Sequence, residues 1–135
     1  MKFLLDTNVI SETWKPRPEP EVCAWLVANG ADCGIPVPVL AEIADGIHAE
    51  SGARRKDLLQ KLNHFLAEWN EHVVPWDADA ALAWGQQQHS AALKRQPQSL
   101  WDSLIESIAL AHGLTVVTRN TGDFRAAPTL NLWPS

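Results

Sequence analysis

Phe3, Leu4 and Leu5 form an unbroken apolar run that stops abruptly at Asp6, Thr7 and Asn8. A run without polar alternation is the pattern of a strand buried on both faces, as in a parallel sheet. Short apolar runs along the chain predict strands at 2–5, 33–37, 73–74, 115–117 and 131–132. Between them, apolar residues recur at helical spacing and predict helices over 9–14, 20–29, 39–48, 53–69, 78–93 and 100–112, with a short one after Asn120. The Pro-rich segment from Thr13 to Pro20 reads as a turn between helices. Strands alternating with helices define an α/β sandwich around a parallel sheet. Ligands of such sheets sit beyond the carboxyl ends of the strands, where the strand order reverses. Asp6 lies at such an end, and so does Thr118-Arg119-Asn120, with Asp123 three residues further on.

Helical phase sorts the acids. In the helix over 39–48, Val39, Ile43 and Ile47 mark the buried stripe. Glu42 then stands about 120° from the stripe's centre, on the flank, and Asp45 about 180° away, in water. In the helix over 100–112 the stripe is Trp101, Leu104, Ile105, Ile108 and Ala111. Asp102 stands about 120° from its centre and Glu106 about 160°. Each helix therefore carries one acid at the border of its core face, and Asp45 and Glu106 read as solvated charges. Trp101 falls in mid-stripe and reads as core, as do Trp25, Trp69 and Trp84.

Each acid also has an ordinary explanation. Asp6 either caps the following helix or holds a cation. Asp102, three residues after Ser99, fits a capping box as well as it fits a site residue. Asp77 reads as a helix N-cap. Asp123, after Gly122, fits an Asx turn, and Glu42 alone fits a flank charge. The five histidines form neither an i, i+4 pair nor a metalloprotease motif, which discounts zinc. His112, before Gly113, suits a helix C-terminus.

The chain has 135 residues, which fits a single domain, residues 1–135, large enough to bury a core. Its two cysteines match no disulfide or zinc spacing. Three apolar residues before the first acid are too few for a signal peptide, and no stretch approaches a membrane span. The expectation is a reduced, cytoplasmic protein without membrane contact. The net charge of −5 argues against nucleic-acid binding through bulk positive potential. It leaves open a site that recruits cations, because bound divalent ions invert the local electrostatics.

The segments FLLDTNVISE, VLAEIADGI, VVPWDADAALAWG, DSLIESIALAHGLTVVTRNTGDF and LNLWP, in this order across the chain, resemble the PIN domain. They resemble in particular the VapC-type ribonuclease toxins of bacterial toxin–antitoxin pairs. The resemblance implies a three-layer sandwich with a central, mostly parallel five-stranded sheet. It implies that Asp6, Glu42, Asp102 and Asp123 are catalytic acids and metal ligands, and that Asn8, Thr118 and Asn120 line the same pocket. It further implies an endoribonuclease that leaves 5′-phosphate and 3′-hydroxyl ends, a homodimer, and a cognate antitoxin that joins it in a hetero-oligomer. The antitoxin's tail would enter the acidic groove, and an Arg there would pair bidentately with carboxylate. All-oxygen ligands suit Mg²⁺ or Mn²⁺, and a two-metal site hydrolyses a phosphodiester by in-line displacement. Glu106 stands where the family usually has a small residue. It is either a further ligand or a rim charge, and its phase favours the rim.

Three other readings compete. A haloacid-dehalogenase-like phosphatase also ends its first strand on Asp, but it needs a second Asp where this chain has Asn8. A receiver-like signalling domain needs an early acidic pair and a late Lys, which have no convincing counterparts. A catalytically inactive PIN binding module would not need the complete set of acids.

Overall fold

The computed structural model describes all residues, Met1–Ser135. Five short strands, β1 (Phe3–Leu5), β2 (Cys33–Pro36), β3 (Val73–Val74), β4 (Thr115–Val117) and β5 (Thr129–Leu130), form one sheet in the order β3-β2-β1-β4-β5. Every pairing is parallel, with Leu4 opposite Gly34 on one side and Val116 on the other. Seven helices flank it: α1 (Thr7–Thr13), α2 (Pro20–Asn29), α3 (Val37–His48), α4 (Gly52–Trp69), α5 (Ala78–Gln87), α6 (Ala91–Arg95) and α7 (Leu100–His112). This is the PIN-like α/β sandwich. From β1 the chain builds outward through β2 and β3 on one side and through β4 and β5 on the other. The order therefore reverses between β1 and β4, and the crevice beyond their carboxyl ends is the ligand position of such sheets.

The core follows the apolar runs. Leu4, Leu5, Ile35, Val116 and Val117 from the strands, Val9 and Ile10 from α1, and Val39, Ile43 and Ile47 from α3 are all buried. Gly113, with φ +65°, ends α7 in the left-handed conformation, which glycine adopts without Cβ strain.

The structure departs from the expected elements in several places, among them α1, which begins at Thr7 rather than Val9. The fifth strand is Thr129–Leu130 rather than 131–132, because Pro128 and Leu130 carbonyls take the ladder bonds from Val116 and Thr118 N–H. Leu132 is buried without joining the ladder. The single helix expected over 78–93 is two helices, because Ser90 leaves the helical conformation and its Oγ caps α6 at Leu93 N. Helix α3 begins two residues early, with Pro38 in its first turn, where a missing N–H is harmless. On α7 the expected stripe is too narrow. Ser103, Glu106 and Ser107 are buried together with Ile105, Ile108 and Ala109, whereas Trp101 and Leu104 are only half-buried. The helix is enclosed on several sides. Trp84 and Trp76 donate their indole N–H groups to Ser103 and Ser107 Oγ at 3.0 and 2.9 Å, which satisfies two hydroxyls away from water. Trp84 is accordingly half-buried against α7 rather than in the main core.

No helix is long and apolar enough to cross a membrane.

Candidate active site

Asp6 closes β1, and its backbone N–H continues the sheet pattern to Val117 O. The side chain then turns toward the end of β4. Oδ1 accepts from Thr7 N at 2.8 Å, so Asp6 is the N-cap of α1. Oδ2 accepts from Thr118 Oγ1 at 2.8 Å and from Asn8 Nδ2 at 3.4 Å. Asn8 also donates to Thr118 Oγ1 at 3.2 Å and accepts from Arg119 N at 3.1 Å. Thr118 Oγ1 takes the N–H of Asn120 at 3.0 Å. One polar network thus stitches the ends of β1 and β4 together at the switch point.

Three further acids reach this place from separate elements. Glu42 comes from the flank of α3 and accepts from the Thr7 hydroxyl. Asp102 comes from the first turn of α7, where Ser99 caps the helix through Asp102 N and donates its hydroxyl to Asp102 Oδ2 at 2.8 Å. The capping and site readings of Asp102 are therefore compatible. Asp123 ends a single 3₁₀ turn, Thr121–Asp123, after β4. Asp6, Asn8, Glu42, Asp102, Asn120 and Asp123 all line one cleft of about 400 Å³. Thr118 does not reach its wall: it is fully buried behind Asp6.

The electrostatics of the cleft are those of crowded acids. Burial is the main cause that lifts the Asp6 carboxyl to about 6, helped by the charges of Asp102 and Glu42 and opposed by the bonds from Thr118 and Thr7. Burial also raises Asp102 above the usual carboxylate range, with Asp123 and Glu42 adding to it and the Ser99 bond opposing. The donors suit a hard divalent cation, being carboxylate, amide and hydroxyl oxygens with no thiol or imidazole among the lining residues. The acids are turned to their hydroxyl partners, and no three of the chain's acid, histidine or cysteine side chains close on a common coordination point.

Several residues of the cleft carry no separate signal in the strand and helix patterns: Glu12, Lys15, Arg119 and Trp133. Glu12 is 5% exposed. It accepts from Lys15 Nζ at 3.0 Å, Glu19 N at 3.1 Å and Trp133 Nε1 at 3.2 Å, and the Lys15 bond leads in holding its carboxyl below the usual range. It thereby ties the Pro-rich turn and the C-terminal segment to α1. Arg119 lies over the Trp133 ring at 5.4 Å. The signal available for Glu12 was its spacing from Asn8, four residues on, which places both on one face of α1; Lys15 lies beyond the helix end and is held by its bond to Glu12.

Glu106 is neither ligand nor rim charge. It is wholly buried. Its Oε2 accepts from the backbone N–H groups of Arg125, Ala126 and Ala127 at 2.9, 3.0 and 3.0 Å, and its Oε1 accepts from Gln98 Nε2 at 3.1 Å. Helical phase put Glu106 opposite the expected stripe and so read it as solvated, but α7 is buried around most of its circumference. Phase could not register that the loop after β4 packs over that side of α7.

The opposite side of α1 borders a second, larger cleft of about 600 Å³, away from the acids. Ile10, Trp14, Leu26, Phe65 and Trp69 give it an apolar lining between α1, α2 and α4, and Val27 at its edge is strongly exposed.

Residues 3–130 match the PIN domain family, and the chain belongs to it. It is 32% identical to VapC ribonuclease Y4jK of Sinorhizobium fredii over 97% of both chains. It is also 32% identical to toxin FitB of Neisseria gonorrhoeae, over 93% of this chain and 92% of that one. Among solved structures, the DNA-bound VapBC complex of Salmonella typhimurium contains a chain that superposes with a TM-score of 0.84 at 26% identity, covering 98% of this chain and 99% of that one.

Proposed function

We propose that this chain is the ribonuclease toxin of a VapC-type toxin–antitoxin pair, an endoribonuclease dependent on Mg²⁺ or Mn²⁺. The observation that carries this reading is the meeting of Asp6, Glu42, Asp102 and Asp123, from four separate segments, in one cleft at the reversal of strand order. The names of the relatives, a VapC ribonuclease and a toxin, support it. These four acids are the catalytic set and the metal ligands, with Asn8, Thr118 and Asn120 holding them in place. A divalent cation bound there supplies the Lewis acid that activates water and stabilises the leaving oxygen of a phosphodiester. Asp6 and Asp102, both lifted by burial and by their neighbours, gain from such a charge. Thr7 and Ser99 orient Glu42 and Asp102. Lys15 and Arg119 are the two cationic side chains in the lining, available to the phosphates of an RNA that the acids alone would repel. The products carry 5′-phosphate and 3′-hydroxyl ends.

The whole chain acts as one PIN domain, forms a homodimer and assembles with its antitoxin in the cytoplasm. An Arg from the antitoxin's tail pairs with the acids of the cleft, and an apolar segment of it suits the larger groove. The test is cleavage of RNA by the purified protein. Activity should require Mg²⁺ or Mn²⁺, stop with chelator and be absent from Asp6→Asn. Cleavage that survives either treatment would remove the proposal.

A further inference from the structure

We infer that Glu106 is a positioning residue of the acidic cleft, a buried strap that holds the Asp123 loop against the helix carrying Asp102. The inference rests on the proposed metal site and adds a residue to its machinery. Glu106 stands one helical turn after Asp102 on α7, and its carboxylate faces away from the cleft, into the loop. Two paths run from it to Asp123. The first bridges through Gln98, whose Nε2 donates both to Glu106 Oε1 at 3.1 Å and to Asp123 O at 2.9 Å. The second runs through the chain, since Oε2 gathers the N–H groups of residues 125, 126 and 127, just beyond Asp123. Arg125 closes the arrangement, donating from its guanidinium to Gly122 O on one side and to Gln96 O and Pro97 O on the other.

Such a strap has a task. Asp123 and Asp102 repel each other, and the loop carrying Asp123 has only one 3₁₀ turn of its own. Without an anchor the loop would relax away from α7, and the two acids would separate before an ion arrived. Three backbone N–H donors satisfy the buried carboxylate without a cationic side chain. Gln98 leaves its own Oε1 buried without a partner while its Nε2 serves both acceptors.

The test uses Glu106→Gln, Gln98→Ala, Asp123→Ala and the double variant Glu106→Gln/Asp123→Ala. Hydrogen exchange reads the loop over residues 121–127, and calorimetry reads Mn²⁺ affinity. Glutamine keeps the shape of Glu106 but has one acceptor oxygen, so it cannot serve both Gln98 and the three backbone donors. Glu106→Gln and Gln98→Ala should each lose protection in the loop. Each should weaken Mn²⁺ binding by roughly tenfold, the usual effect of removing a partner that orients a ligand. In the Asp123→Ala background, Glu106→Gln should weaken Mn²⁺ no further, because its effect runs through Asp123. Unchanged Mn²⁺ affinity with a loosened loop would reduce Glu106 to a fold-only role and overturn the inference. An equal loss with and without Asp123 would overturn it too, by making Glu106 act independently. Should Glu106→Gln fail to fold, Gln98→Ala decides. A wild-type protein that binds Mn²⁺ but cuts no RNA would sink the proposed function while leaving this result readable. A wild type that binds no Mn²⁺ would sink both.

Discussion

Asp6 and Glu106 are both acids with almost no contact with water, at 5% and 0% exposure, yet they sit in opposite surroundings. Glu106 meets only donors: three backbone N–H groups and one amide. Asp6 also has donors, but it shares its space with Asp102 and Glu42, and its carboxyl is pushed up to about 6. Glu12, buried to a similar degree, resembles Glu106, since a lysine, a backbone N–H and an indole compensate it. Burial alone therefore does not mark a functional acid. Burial among other acids does, because no fold gains stability from repulsion unless a cation joins it.

The largest test of this contrast is catalytic. Asp6→Asn should reduce RNA cleavage to background while circular dichroism stays unchanged, because the Asn Oδ1 still caps α1 at Thr7 N, although its amide NH₂ replaces the oxygen that accepts from Thr118. Persisting activity would place Asp6 with Glu106 among structural acids.

The next test is stability at neutral pH without metal, where the two acids should respond with opposite signs. Glu106→Ala leaves three backbone N–H groups, that of Ala127 buried, without their acceptor and should cost about 3 kcal/mol. Asp6→Asn should instead stabilise, by up to about 3 kcal/mol for a carboxyl raised from 3.8 to about 6. The sign follows from the raised folded-state value. The folded protein holds the proton more tightly than the unfolded chain, so the penalty is absent below about 4 and complete above about 6. Urea midpoints at pH 4 and pH 7.5 in chelator should therefore coincide for Asp6→Asn and wild type at the lower pH and separate at the higher. A destabilised Asp6→Asn at pH 7.5 would contradict the crowded-acid account.

Metal should act on one region and not the other. Mn²⁺ at a hundred times its dissociation constant stabilises a one-site protein by about 2.7 kcal/mol. Thermal unfolding should show such a gain in wild type and little or none in Asp6→Asn. A full gain in Asp6→Asn would place the metal elsewhere.

The smallest effect concerns the tryptophans beside α7. Trp84→Phe removes the N–H that serves Ser103 and should cost about 1 kcal/mol with no change in cleavage. A loss of activity out of proportion to that cost would extend the site's support to α5.

How far the sequence reached can be stated residue by residue. The apolar runs at Phe3–Leu5 and Val116–Val117 pointed to a parallel sheet, because strands covered on both faces carry apolar residues without alternation. The helical period of Val39, Ile43 and Ile47 determined which way α3 faces, and so put Glu42 on its flank. Asp6 stood at a strand end, and Asp123 a few residues beyond another, where parallel sheets bind their ligands. What the sequence left open was decided by packing between distant segments. Asp102 read equally as a cap or a site residue until Asp6, Glu42 and Asp123 were found around the same cleft. Glu106 read as a solvated charge because phase describes one helix against one face, and α7 is covered by a loop twenty residues further along the chain. Glu12 and Trp133 meet across 121 positions, and no local period encodes that contact. Periodicity is a property of neighbours in sequence. Whether a buried carboxylate faces N–H donors or other carboxylates depends on which remote segments the fold brings to it, and only the tertiary structure decides that.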